Sequence, residues 1–139
     1  LFSRSSNFKV YSDENNKARL SYPQNWQVSS SENFITLNPA PNADNQQGEF
    51  NMIVTVNPSE FFLELAGLTG NPQQVMIGRK QILVSHKEEQ IVDSGQKITI
   101  THLLWRAANN NSYWFQISPK QELTPGTPLY KVIDSFEAL

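Results

Sequence analysis

The stretch Leu20-Ser21-Tyr22-Pro23-Gln24-Asn25-Trp26-Gln27-Val28 is the one on which the fold turns. Ala18, Leu20 and Tyr22 alternate with Lys17, Arg19 and Ser21, the period of a half-buried strand. Pro23 offers no N–H to a ladder and ends that strand. Trp26 is expected to fold back over the sheet edge as a buried aromatic.

Outward from this corner the chain reads as strands joined by turns. Residues 8–11 are β-favourable and lead through Ser12-Asp13-Glu14-Asn15-Asn16, all turn chemistry, into the strand at Ala18, which makes a hairpin. Residues 34–38 read as a third strand. The polar loop 39–48 is expected to be mobile. Phe50, Met52, Val54 and Val56 alternate with polar or outward positions in a fourth strand. Asn57-Pro58-Ser59-Glu60 then carries a helix start, with Asn57 as cap and Glu60 as capping-box partner. Phe61, Phe62, Leu65 and Leu68 fall on one face of that helix, and Gly67 and Gly70 stop it. Asn71-Pro72-Gln73-Gln74 repeats the start signal, so a second short helix is expected up to Gly78.

Residues 81–92, 97–105 and 112–118 read as an antiparallel meander around the turns Asp93-Ser94-Gly95 and Asn109-Asn110-Asn111. In the last of these strands Tyr113, Phe115 and Ile117 share one face and Trp114 takes the other. Thr124-Pro125-Gly126-Thr127-Pro128 opens a closing helix whose Leu129, Val132, Ile133 and Phe136 make one buried stripe. The expected class is α+β, a single domain over 1–139 with about seven antiparallel strands and about three helices. Residues 1–7 are expected to be a flexible leader.

Composition narrows the function classes. The chain has 139 residues, 38% hydrophobic and 11% aromatic, enough for one cored domain. Net charge is −2 with no basic run, which argues against nucleic acid as a partner. No apolar block is long enough for a transmembrane segment. Cysteine is absent, so disulfides, thiolate nucleophiles and cysteine metal sites are excluded. The chain opens on Leu1, and a processed protein or an excised segment is expected.

Three stretches together resemble the PsbP-like superfamily. They are Leu20-Ser21-Tyr22-Pro23-Gln24-Asn25-Trp26, similar to a Tyr-Pro-x-x-Trp strand end; Phe50-Asn51-Met52-Ile53-Val54-Thr55-Val56-Asn57 with Glu64-Leu65 and Asn71-Pro72-Gln73-Gln74-Val75; and Tyr130-Lys131-Val132-Ile133-Asp134-Ser135-Phe136, similar to an Ile-x-x-Ser-Phe closing helix. The superfamily includes the PsbP subunit of photosystem II, a cyanobacterial lipoprotein relative and periplasmic proteins of the DcrB type. The resemblance implies an antiparallel sheet with helices on both faces, an α/β/α sandwich. It implies a non-enzymatic accessory protein, peripheral to a membrane protein complex such as photosystem II, in the periplasm or thylakoid lumen. A lipid anchor would lie upstream of Leu1. The long N-terminal segment of plant PsbP has no counterpart ahead of Phe8, so its contact with the photosystem does not carry over. A monomer is expected.

Candidate chemistry is sparse. His86 and His102 are the candidate ligands for a divalent metal, of the kind PsbP-type proteins are reported to bind. Pairing around Asp93-Ser94-Gly95 would set His86 opposite a residue near 102–104, making a cross-strand histidine pair with Glu88 or water as a third ligand. The plainer reading, one hydrogen-bonded core histidine and one surface histidine, is preferred. No Gly-x-Ser-x-Gly elbow, Walker loop or Gly-x-Gly-x-x-Gly is present, and no enzyme activity or cofactor is expected. Trp105 and Trp114 flank one turn and would make a carbohydrate platform if they packed together, with core packing preferred. The alternative functions are a binding module for a small apolar ligand or a metal, and a sensor domain of a longer chain. The apolar-ligand version expects a cavity lined by Phe61, Phe62, Leu65, Val132 and Phe136.

Overall fold

The computed structural model describes residues 7–39 and 50–139. The loop expected at 39–48 therefore lies, apart from Pro39, outside the described residues, as does the leader apart from Asn7.

Strands β1 (Phe8–Asp13) and β2 (Ala18–Pro23) form the expected hairpin, and Pro23 is the last residue of β2. The chain then turns at Gln24 and Asn25 and enters β3 (Trp26–Ser31), β4 (Phe34–Pro39) and β5 (Asn51–Val56). Helix α1 (Glu60–Leu65) precedes β6 (Gln73–Ile77), β7 (Lys80–Gln90), β8 (Lys97–Arg106) and β9 (Ser112–Ser118). Helix α2 (Pro128–Ser135) and the short β10 (Glu137–Ala138) close the chain. A seven-stranded antiparallel sheet runs β3-β4-β5-β9-β8-β7-β6, and a three-stranded sheet runs β1-β2-β10.

The core lies between the two sheets. Ala18 and Leu20 of β2 meet Ile35, Leu37, Met52, Val54, Phe115 and Ile117 of the large sheet in one buried cluster. Helix α2 completes the layer on this side. Thr127 caps it, accepting from the Tyr130 N–H at 3.4 Å, and Pro128 stands in its first turn. Leu129, Val132 and Ile133 are fully buried, as their spacing predicts, each contributing about 1.5–3 kcal/mol. Phe136 follows the helix and meets the rings of Tyr113 and Phe115 edge-on at 5.2 Å each.

Among the described residues, the opposite face of the large sheet carries only α1, six residues long. Leu63, Ala66 and Leu68 seal it onto Leu104 and Trp114. The expected layers of helices on both faces are therefore not formed. The architecture is mostly sheet, with two short helices.

Three local expectations are corrected. The stretch 71–78 holds strand β6 (Gln73–Ile77) rather than a helix. Val75 and Ile77 face the core beside Ile82 and Val84, and edge pairing with β7 outweighs the Asn-Pro start signal. Gly78, at φ +61, makes the two-residue hairpin turn that closes the pair. Trp26 does not fold back over an edge. It opens β3, a strand absent from the sequence-based expectation, and its ring meets Phe50 edge-on at 5.4 Å. The corner is thus the crossing from the small sheet to the large one.

Polar ties lock these crossings. Asn16, buried in the β1–β2 turn, donates to Asp13 Oδ2 at 2.7 Å and to the Ser31 carbonyl at 3.2 Å, and accepts from the Asn33 N–H at 3.1 Å. The buried Tyr113 hydroxyl lies 2.8 Å from the Lys17 carbonyl and receives Asn109 Nδ2 at 3.2 Å.

Candidate functional site

Helix α1 is held from below and turns its aromatic residues outward. Ser59 caps it, accepting from the Phe62 N–H at 3.4 Å. Asn57, the expected cap, sits at φ +55 and instead accepts from the Ser112 N–H at 2.9 Å. At the other end the Gly67 N–H reaches the Glu64 carbonyl at 3.0 Å and the Leu68 N–H reaches Leu63 at 2.9 Å. Gly67 at φ +78 permits this reversal. Leu68 therefore lies beyond the helix and closes on Leu63 from beneath. The single face expected to hold Phe61, Phe62, Leu65 and Leu68 is therefore split, and its first three residues turn away from the sheet. They are exposed at 65%, 52% and 61%.

Beside this ridge a groove of about 320 Å³ opens on the sheet. Its inner wall is built from rings. Phe62 lies over Trp114 at 6.5 Å and 21°, and His102 lies beside Trp114, nearly coplanar with it, at 5.7 Å and 26°. The Trp114 Nε1–H donates to His102 Nδ1 at 3.1 Å. Burial, and then the charges of Lys87 and His86, lower the His102 pKa to about 4. His102 is thus neutral near pH 7 and carries its proton on Nε2. The stem of Lys87 crosses Gly67 so closely that a Cβ there would lie 2.9 Å from Cε. Lys87, Glu89 and Gln116 form the polar rim.

The two candidate metal ligands are separated. The β7–β8 loop is four residues, 92–95, because the Ile91 N–H pairs with the Gln96 carbonyl. The three-residue turn expected from Asp93-Ser94-Gly95 would have set the strands one residue differently. His86 faces Thr101, with Nδ1 3.2 Å from its hydroxyl, while His102 faces Ser85. A one-residue shift moves a side chain to the other face of a sheet. His86 lies on the α2 side, in a groove of about 270 Å³ with Lys120, Glu122 and Tyr130. Burial and Lys120 lower its pKa, against the pull of Glu122. Trp114 also turns the free nitrogen of His102 into a donor, which does not suit a metal. No group of three histidine or carboxylate side chains is poised for a metal among the described residues.

Two groupings that belonged to the alternative readings are not formed among the described residues. Val132 and Phe136 belong to the inter-sheet core, so they line no cavity with Phe61 and Leu65. Trp105 and Trp114 project from opposite faces. Trp105 stacks on Tyr113 at 5.7 Å, with Lys80 Nζ 5.1 Å over its ring, and makes no platform with Trp114. Sequence reasoning missed the groove. Its one legible signal was Trp114 alternating out of the Tyr113–Phe115–Ile117 face, in phase with His102.

No family model matches the chain, and no curated protein does. A protein of Bacteroides thetaiotaomicron VPI-5482, solved by crystallography at 1.50 Å, is similar in structure with a TM-score of 0.63 and 16% sequence identity. The match covers 96% of this chain and 49% of that one. This chain thus spans about half the length of the solved protein, and at such identity the likeness is one of fold. Among the described residues no helix is long and apolar enough to cross a membrane.

Proposed function

We propose that this chain is a non-enzymatic accessory domain, PsbP-like in kind, that works by docking on a membrane protein complex. The observation that carries the reading is the exposed ridge of Phe61, Phe62 and Leu65 on a helix anchored from beneath by other residues. Large apolar side chains grouped on a surface mark interaction sites. The charges on α1 are Glu60 and Glu64, with no basic residue in its last turn. That pattern disfavours an anionic lipid surface and favours a protein partner. Two of the stretches that resemble the PsbP-like superfamily also meet in space, where Ser135 bonds the backbone of Ser21.

The test is affinity capture from detergent-solubilised membranes of the cells that encode the protein. Wild type should recover a membrane complex, and the Phe61→Ser/Leu65→Ser variant should not. These side chains support little of the fold, so the variant should stay within about 0.5 kcal/mol of wild-type stability. Recovery of no complex by wild type, or equal recovery by the variant, overturns the reading.

A further inference from the structure

His102 is only 5% exposed, yet one of its ring nitrogens has no partner among the described residues. Nδ1 is taken by the Trp114 Nε1–H. The remaining proton sits on Nε2, and no hydrogen bond among the described residues receives it. No buried side-chain nitrogen or oxygen there is both sealed in and unsatisfied. Nε2 therefore opens to the outside, and the space its ring lines is the groove at the foot of α1.

The surroundings define what that donor can receive. One wall is apolar, built from Phe62, Leu65 and Trp114. Lys87 and Glu89 bring one charge of each sign to the rim, while Glu88 is paired with Lys97 at 3.7 Å. The groove thus has an apolar wall, one fixed N–H donor and no excess charge to draw an ion. At about 320 Å³ it lies at the small end of ligand sites.

We infer that this groove receives a single apolar residue of the docked partner, its side chain against Phe62 and Trp114 and its uncharged main-chain carbonyl on His102 Nε2–H. The inference rests on the docking reading and names the chemistry of its contact. Trp114 has two roles, packing against the incoming side chain and holding the imidazole in the donor tautomer. A buried N–H aimed at a carbonyl discriminates well, because a ligand lacking the acceptor leaves the donor unpaired.

The probe is N-acetyl-phenylalaninamide, titrated into the ¹⁵N-labelled protein and followed by NMR at the His102 Nε2–H and Trp114 Nε1–H signals. Saturable shifts of both are expected, with a Kd on the order of millimolar. N-acetylglycinamide, which has the carbonyls but no ring, should shift neither. His102→Leu should weaken the amide about tenfold, the worth of one hydrogen bond, and His102→Gln should restore part of it. If His102→Leu does not fold, the wild-type shifts and the glycinamide comparison still decide. Unmoved His102 and Trp114 signals at about ten times a millimolar Kd overturn the inference, as do equal shifts from the two amides. Loss of complex capture in the ridge variant with no amide binding leaves docking standing and removes only this contact. Amide binding without any captured complex removes docking and leaves the ligand class of the groove in place.

Discussion

The Ser135 hydroxyl accepts from the Ser21 N–H at 2.9 Å and lies 3.2 Å from the Ser21 carbonyl. It also lies 2.8 Å from the Val132 carbonyl, one turn back in α2. The closing helix is thereby stitched to the middle of β2, just before the Tyr22-Pro23 corner. Ser135→Ala leaves the half-buried Ser21 N–H unpaired. The expected cost is about 1–2 kcal/mol in a urea melt. An unchanged midpoint would mean that water takes over the bond.

Trp26 is buried and contacts Phe50 across the start of β3. Trp26→Ala should cost about 3–5 kcal/mol, the transfer term plus the cavity left behind. A denaturant melt checks this. A loss below about 1 kcal/mol would show that the site collapses or stays wet in solution.

Gly78 turns the β6–β7 hairpin at φ +61, where a Cβ would also fall 1.8 Å from Asp134 Oδ1. Two costs should therefore add in Gly78→Ala. The backbone part is about 1–2 kcal/mol. Asp134→Ala in the same chain should relieve the steric part alone, so a thermal-melt double-mutant cycle should show coupling.

Histidine burial makes stability depend on pH in a fixed direction. The folded-state pKa of His102 is lowered from the ordinary 6.5 to about 4, so the unfolded chain takes the proton first as pH falls. Its contribution is fully present above about 6.5, falls through the window down to about 4, and is gone below it. His86 is lowered too and acts with the same sign. Urea midpoints measured from pH 7.5 to 4 should therefore decline, and His102→Gln should flatten the lower part of the curve. Protonation of Nδ1 also breaks the bond from Trp114, so the tryptophan fluorescence of the folded protein should change as pH falls through about 4.

Much of the sheet was legible because alternation is written in the chain itself. The β1–β2 hairpin, β4, β5, the β7–β8–β9 meander and the buried stripe of α2 all follow from local period and turn chemistry. Even the two-sided character of β9 was readable, with Tyr113, Phe115 and Ile117 opposed to Trp114. β3 was harder to read. Gln27 and the serines at 29–31 look like loop, and only pairing with β4 makes them a strand.

The candidate site lay almost wholly out of reach. Whether His86 and His102 share a face depended on one residue in the 92–95 loop, and the register held along the whole β7–β8 ladder, from Leu83–Leu104 to Gln90–Lys97, decides it. Whether Phe61 and Leu65 are core or ridge depended on where α1 ends. That end is decided by the Leu63–Leu68 closure around Gly67, since either face of so short a helix can be buried.

The Leu20–Val28 stretch shows where the division falls. By itself the sequence determined a strand, a stop at Pro23 and a large aromatic at Trp26 that had to be buried, because φ restriction, a missing N–H and apolar area are local properties. Only the tertiary structure decided that Trp26 begins a strand of the other sheet, and that His102 ends as a neutral donor beneath an exposed ridge. Both depend on register and on the face a segment turns inward, which are settled by distant partners that local chemistry does not name.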